Sequence, residues 1–377
     1  MKKILLFLIL IPISIRAETS KLAENSKSVI MIEATTGEVI FKKNENKILP
    51  PASMTKIMTM LLVVEAIEDG QVKWDEMVNI TEEAANMGGS QILLETGESM
   101  SVEDLFKGVA IASGNDAAVA LAILVGGTVD NFVDMMNKRA EELGLKNTKF
   151  KNPHGLDDPN HYSTAKDMSI MSKELVKHKK VLEFTKIYDT YLREGKPTKI
   201  WLVNTNKLVK FYDGVDGLKT GYTKQAGYCL TSTAKKNNMR LITVVMGTES
   251  TSIRNKETTD LLNYGFSQYK IDTYLSQNKK IGKINIINGK QDHSNLVPLN
   301  DISFLENKTN NTNKKLKYKI KIKSIKAPVK PGDKVGHIEI FEDGKVIRKE
   351  YITVDKENKK ANIIELYLKN IKKALQP

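Results

Sequence analysis

Ser53 and Lys56 stand three residues apart in the stretch Pro51-Ala52-Ser53-Met54-Thr55-Lys56. On a helix that spacing puts both side chains on one face, about one turn apart. A serine hydroxyl is a weak nucleophile until a base takes its proton, and a neutral lysine amine can be that base. Burial and a second cation nearby would both favour the neutral amine. A helix N-terminus adds positive partial charge at the same place. The pair alone has a plain alternative: a helix-capping serine beside a solvated lysine. Two distant stretches weigh against it, Ser113-Gly114-Asn115 and Lys219-Thr220-Gly221. They offer a hydroxyl relay, an amide, a second cation and a strand glycine that backbone can approach closely.

The elements that must position these groups are legible in outline. Residues 28–34 and 38–41 read as two strands about Thr35-Thr36-Gly37, and the Ser53 helix follows over 54–68. Thr81 caps a short helix over 82–87. Ser101 and Asp104 form a capping-box-like start, and Val102, Leu105, Phe106, Val109 and Ala110 then fall on one helix face. Ser113-Gly114-Asn115 breaks that helix. The next, over 116–125, is apolar nearly all round and so predicted central. Thr128 and Thr164 cap two more. Residues 188–209 alternate like strand, 215–223 form a strand with glycines, 228–234 and 240–246 pair about Asn237-Asn238, and 255–269 is a helix. Helices between early and late strands predict an α+β domain over 18–274: an antiparallel sheet with a helical lobe.

The ends of the chain read differently. Lys2-Lys3 followed by an apolar run over 4–15 and Ala17 is the pattern of a secretory signal peptide over 1–17, despite Arg16 and the bulky Ile15 near the cleavage point. Residues 275–356 predict a small all-β domain. In it Leu316, Tyr318, Ile320 and Ile322 alternate with lysines, a strand with one buried and one lysine face, and a hairpin turns at Glu342-Asp343-Gly344. Residues 306–314 read as an exposed loop. Over 357–377, Ile364, Leu368, Ile371 and Leu375 line one face of a helix, and Lys359, Lys360, Lys369, Lys372 and Lys373 line the other, as in an interfacial membrane anchor. Residues 275–377 hold twenty-three basic and eleven acidic residues, so this third carries +12 of the chain's formal +13. An exported chain whose catalytic region is near neutral does not read as a nucleic-acid binder; the basic third suits an anionic membrane or wall polymer. One cysteine, Cys229, excludes an internal disulfide, and the five histidines form no His-x-x-x-His pair that would suggest zinc. His154 reads as a loop residue, since the serine already has a lysine partner.

In their order, Ser53-Met54-Thr55-Lys56, Ser113-Gly114-Asn115 and Lys219-Thr220-Gly221 resemble the motif set of penicillin-binding proteins and class A β-lactamases. With Ser-Gly-Asn as the second motif, and with Ile111-Ala112 before and Asp116-Ala117 after it, the chain resembles the low-molecular-mass penicillin-binding proteins that are serine-type D-alanyl-D-alanine carboxypeptidases. Asn152-Pro153-His154-Gly155-Leu156, Val215-Asp216-Gly217-Leu218 and Leu261-Leu262-Asn263-Tyr264-Gly265-Phe266 carry the same resemblance. It spans 27–269 and continues more weakly through 327–354 into the terminal helix. Tyr222 departs from it, because some relatives carry histidine after Lys-Thr-Gly.

The resemblance implies roles. Ser53 attacks the carbonyl between two terminal D-alanines, Lys56 is the base, and Ser113 relays a proton to the leaving amine. Asn115 binds the substrate's peptide amide or orients Lys56. Lys219 keeps Lys56 neutral. Backbone N–H groups of Ser53 and Tyr222, beside Gly221, form the oxyanion hole. Lys219, Thr220 and Arg254 are candidates for the substrate's C-terminal carboxylate. The implied substrate is peptidoglycan pentapeptide, with β-lactams as covalent inhibitors, no metal, no cofactor and no nucleic acid. The implied place is periplasmic or the outer face of the cytoplasmic membrane, held through the terminal helix. Two alternatives are a β-lactamase of the same fold class, disfavoured by the lack of a Glu-x-x-Leu-Asn stretch between Asn115 and Lys219, and a non-catalytic wall-binding relative.

Overall fold

The structure, a computed structural model, describes residues 22–309 and 315–374. The expected signal peptide over 1–17, most of the loop over 310–314 and Leu375 lie outside the described residues, as do the side chains of Lys372 and Lys373. The described residues form two compact units, one mainly of 41–234 and 242–263, the other mainly of 264 onward.

In the first unit, β1 (Ser28–Glu33) and β2 (Val39–Lys43) lead to a 3-10 turn over Ala52–Thr55 and then to α1 (Lys56–Glu68). The predicted helix over 54–68 therefore starts with a tighter turn, and Ser53 lies inside that turn with its hydroxyl making no cap bond. β3 (Met77–Asn79), α2 (Glu82–Ala85), β4 (Ser99–Ser101) and α3 (Val102–Lys107) follow. Thr81 and Ser101 cap as expected: their hydroxyls accept from Ala84 N and Asp104 N. A π-helical turn over Gly108–Ala112 ends at Ser113, which is left-handed at φ 65°. α4 (Asn115–Gly126) is buried on most sides over its first two turns, as an all-apolar helix must be. α5 (Val129–Glu142), α6 (Ala165–Leu175) and α7 (Lys179–Thr185) complete the lobe.

Residues 188–209 are not one strand-like run. They form the antiparallel hairpin β5 (Asp189–Leu192) and β6 (Ile200–Val203) and a short helix α8 (Leu208–Phe211). Asn206 ends the extended stretch, because its side-chain oxygen accepts from Leu208 N and starts the turn. β7 (Val215–Thr223), β8 (Gly227–Lys236) and β9 (Met239–Thr248) join β1 and β2 in a five-stranded sheet of order β2-β1-β9-β8-β7. α9 (Thr251–Gln268) follows. β7 is an edge of this sheet, which leaves one side of the Lys219-Thr220-Gly221 strand unpaired by sheet hydrogen bonds.

In the second unit, β10 (Tyr269–Leu275) begins six residues before the boundary expected near Leu275. β11 (Gly282–Ile287), β12 (His293–Pro298), β13 (Ile302–Asn307), β14 (Leu316–Ile322), β15 (Ile325–Lys326), β16 (Gly336–Glu342) and β17 (Lys345–Val354) follow. β10 pairs with β13, and the others form a six-stranded sheet of order β14-β16-β17-β12-β11-β15. Its core includes Ile284, Leu296, Phe304, Ile338, Ile340 and Ile352. The lysine-faced strand is β14, at the sheet's edge. Its apolar face is not fully buried as expected: Tyr318 is 38 % and Ile322 44 % exposed, because an edge strand is covered by one neighbour only.

The terminal helix is α10 (Ile363–Ala374), shorter than the expected 357–377 at its start. Asn358 is buried and bridges two loops, exchanging backbone bonds with Val329 and donating from Nδ2 to Gln291 O. Asn362 is the true cap. Its Oδ1 accepts from Glu365 N at 2.8 Å, and Glu365 Oε2 accepts from Asn362 N at 2.8 Å.

Candidate active site

Lys56 and Lys219 are among the largest fully buried side chains of the described residues, each at 0 % exposure. Lysine is almost never fully buried without a specific reason. Here the burial is built by three elements meeting at the Ala52–Thr55 turn. Gly155 (φ +90°) lets one loop run against it, since a Cβ there would sit 1.9 Å from Ala52 O. Gly221 lets β7 do the same from another side, since its Cβ would lie 2.8 Å from Pro51 O and 3.1 Å from Ala52 Cβ. Thr55 is fixed by a buried histidine: Thr55 Oγ1 and His161 Nε2 are 2.7 Å apart. His161 Nδ1 accepts from Lys151 N, so the ring proton sits on Nε2 and is donated to Thr55.

Lys56 opens α1, and its Nζ meets three oxygens: Ser53 Oγ at 3.1 Å, Asn115 Oδ1 at 2.7 Å and the His154 carbonyl at 2.8 Å. The last two can only accept. In the neutral amine they take its two N–H bonds, and the lone pair is left to the Ser53 hydroxyl. Burial holds the Lys56 amine well below the ordinary lysine pKa, the Lys219 charge pushes it further the same way, and Asp116 opposes both. Lys219, on β7, is lowered to about 7, first by burial and then by the charge of Arg254.

Ser113 and Asn115 arrive from the break between α3 and α4. The π-turn brings both Ser113 N and Gly114 N onto Gly108 O, and the left-handed Ser113 then swings Asn115 to Lys56. Asn115 is held from three sides: N donates to Ser90 O at 2.7 Å, Nδ2 to Gly88 O at 2.7 Å, and Oδ1 accepts from Lys56. Of the two roles expected for it, this geometry fits orienting Lys56. Gly114 has a local reason: a Cβ there would lie 2.9 Å from Asp116 Oδ1.

The remaining expected residues are placed as follows. Thr220 is buried and donates from Oγ1 to Thr205 Oγ1 at 2.8 Å. Tyr222 is 53 % exposed and stacks on Tyr228 with ring centroids 4.3 Å apart. Arg254 is buried near the start of α9, and its guanidinium donates twice to Asn255 Oδ1. His154 contributes its backbone, and its ring accepts from Leu156 N, with a pKa lowered to about 3 by burial and by the Lys56 charge. Cys229 is buried as expected, and burial pushes its thiol up to about 11.

Two residues of the site's frame were missed from sequence. Asp116 is fully buried and accepts from Ile92 N, Leu94 N and Ala117 N, which pins the 88–94 loop that holds Asn115. Arg193, just after β5, donates to Ile92 O, Leu93 O and Glu98 and holds the same loop. An aspartate in the first turn of an otherwise apolar helix was the available signal for the first; nothing local marks the second.

The chain resembles known proteins over nearly its whole length. A family model described as D-alanyl-D-alanine carboxypeptidase matches residues 15–250, and one described as the C-terminal domain of penicillin-binding protein 5 matches 269–370. D-alanyl-D-alanine carboxypeptidase DacF of Bacillus subtilis is 49 % identical over 92 % of this chain and 89 % of its own length. The crystal structure of penicillin-binding protein 5 from Haemophilus influenzae superposes with TM-score 0.71 at 33 % identity, over 89 % of this chain and 98 % of that one. Penicillin-binding protein D2 from Listeria monocytogenes, in a cefotaxime-bound form, does so with TM-score 0.59 at 32 % identity, over 64 % and 97 %. A motif set that folds into one buried lysine–serine centre, and a match of this length, lead to one conclusion: the chain belongs to the D-alanyl-D-alanine carboxypeptidase family.

Proposed function

We propose that this chain is a serine-type D-Ala-D-Ala carboxypeptidase that removes the terminal D-alanine from peptidoglycan pentapeptide through an acyl-enzyme on Ser53. The observation that carries the reading is Lys56 Nζ at 3.1 Å from Ser53 Oγ, with its other bonds held by Asn115 and His154. Ser53 Oγ attacks the carbonyl carbon between the two D-alanines while its proton passes to the neutral Lys56 amine. Backbone N–H groups of Ser53 and Tyr222 receive the developing oxyanion; each such donor contributes about 3–4 kcal/mol. The C–N bond then breaks, the departing amine takes a proton relayed through Ser113, and an ester on Ser53 remains. Water adds to that ester with Lys56 again as base, and the shortened peptide leaves. Lys219, Thr220 and Arg254 bring positive charge and a hydroxyl to the strand side, where the substrate's terminal carboxylate belongs.

A β-lactam enters the same first step, because its ring amide stands in for the scissile bond. Its ring-opened acyl group stays attached, so no leaving amine makes room for water. The expected results are release of D-alanine from a diacetyl-Lys-D-Ala-D-Ala peptide and, by intact-mass spectrometry with penicillin, one adduct on Ser53. Penicillin labelling that survives Ser53→Ala, together with no release of D-alanine, would overturn this. Rapid turnover of a chromogenic cephalosporin would favour the β-lactamase reading instead.

The reading includes export and attachment to the outer face of the cytoplasmic membrane through α10. On this helix Ile363, Ile364, Tyr367 and Leu368 are 86, 71, 66 and 59 % exposed. Its polar side is engaged within its own unit: Lys369 donates to Gly289 O and Asp292, and Lys290 pairs with Glu365. Lys369 thus belongs to the docked side and not to a free basic face. The outward apolar side suits insertion at a lipid interface. Among the described residues no single helix is long and apolar enough to cross a membrane.

A further inference from the structure

The β5–β6 hairpin carries an exposed aromatic pair that the chemistry at Ser53 does not use. Tyr191 and Trp201 are directly opposite in the ladder. Their rings are stacked, with centroids 6.5 Å apart and planes 26° apart, and they are 46 and 56 % exposed. The opposite face of the hairpin is core, with Leu192 and Leu202 at 2 %. The indole is oriented, because Trp201 Nε1 donates to Asp189 Oδ2 at 3.0 Å. Lys199 Nζ lies 4.1 Å from the Tyr191 ring centroid. The outward side is therefore a pair of nearly parallel aromatic rings, with a carboxylate bonded at the indole edge and an ammonium over the Tyr191 ring.

Both strands of this hairpin run into the site. Beyond β5, Arg193 holds the carbonyls of Ile92 and Leu93, in the same loop whose Ser90 carbonyl accepts from Asn115 N. Beyond β6, Thr205 accepts from Thr220 Oγ1 at 2.8 Å and donates its N–H to Ile111 O. Thr205 stands four positions after Trp201, at most about 14 Å between Cα atoms. A pentapeptide stem puts about four residues between its scissile carbonyl and the sugar that bears it, so an extended stem is long enough to cover such a span.

We propose that Tyr191 and Trp201 form a subsite for the glycan strand to which the stem peptide is attached. The inference rests on the carboxypeptidase reading. A pyranose ring presents one face of C–H bonds, and these lie on the negative face of an aromatic ring. The Lys199 ammonium moves off the Tyr191 ring as the sugar arrives and donates to an N-acetyl carbonyl, and Asp189 accepts from a sugar hydroxyl. The hairpin thereby makes the enzyme prefer stems still attached to glycan over free peptide.

The test compares the full chain with Trp201→Ala, Tyr191→Ala and Trp201→Phe on two substrates, a free diacetyl-Lys-D-Ala-D-Ala peptide and uncrosslinked glycan strands carrying pentapeptide. Trp201→Ala and Tyr191→Ala lower kcat/KM on the strands by about fivefold to tenfold, through KM, and Trp201→Phe retains most of it. Release from the free peptide stays unchanged. Parallel losses on both substrates, or no loss on the strands, overturn the subsite. Inactivity of the unsubstituted chain on both substrates is instead a failure of the carboxypeptidase reading. A binding readout separates the two. In a Trp74→Phe background, peptide-free glycan strands shift the fluorescence of Trp201, and an unchanged spectrum at saturating strand concentration overturns the subsite whatever the catalysis.

Discussion

Lys56 Nζ lies 2.7 Å from Asn115 Oδ1, and this contact, 59 residues apart in sequence, decides which way the amine's lone pair faces. Asn115→Ala leaves one N–H without its acceptor and frees the amine to rotate from Ser53. The expected result is a fall of about 10²-fold in kcat and in the rate of penicillin acylation, with the fold retained. Stopped-flow acylation and circular dichroism check it; acylation within threefold of the parent would refute the orienting role.

With Lys56 as the proposed base, acylation needs its neutral amine, so the rate is expected to rise with pH through the depressed pKa of that amine. The Lys219 charge is one of the causes of the depression. Lys219→Met removes it, the Lys56 pKa moves up, and the acidic limb of the acylation profile shifts to higher pH. A profile whose acidic limb does not move, measured with penicillin from pH 5 to about 10, contradicts the coupling.

The same burial has a cost in stability with a definite sign. Lys219 falls from 10.5 to about 7 on folding. Between those values the unfolded chain binds the proton and the folded chain does not, so this residue makes stability rise with pH there. The destabilisation is complete below about 7 and is lost as pH rises through 10.5. Lys219→Met is expected to raise Tm at pH 7 and to flatten the dependence between pH 7 and 10.5 in thermal melts; a lower Tm would show that the lysine stabilises the fold instead.

Gly221→Ala places a methyl 2.8 Å from Pro51 O. Either β7 or the Ser53 turn must shift, at about 1–3 kcal/mol. Because the shift falls on the nucleophile's own turn, D-alanine release drops more than stability does. Urea melts and kcat together check this; a melt and kcat both at the parental values would show that the turn has slack.

Leu368→Asp and Ile364→Asp put charge on the outward side of α10, where no core packing is lost. Sedimentation with vesicles containing about 30 % anionic lipid is expected to retain the parent and release the double variant, with free-peptide turnover unchanged. Equal sedimentation of both would argue against the helix as the attachment.

Much of this molecule was determined by the sequence itself. The order Ser53-x-x-Lys56, Ser113-Gly114-Asn115, Lys219-Thr220-Gly221 pointed to the family, and capping hydroxyls at Thr81, Ser101, Thr128 and Thr164 fixed helix starts. These are local signals, because a cap bond spans three residues. The period-two lysine pattern of β14 gave a strand but not its edge position, since pairing partners are set by residues far along the chain. α10 was legible as a helix, yet Lys369, expected on its free lysine face, turned out docked on Gly289 and Asp292, eighty and seventy-seven residues away. Only the tertiary structure decided that Lys56 and Lys219 are fully buried, that the His154 carbonyl and Asn115 take two bonds of the amine, and that Asp116 and Arg193 clamp the loop beside them. Burial and close approach depend on which distant elements meet, and a sequence states the residues that can meet without stating the distance at which they do.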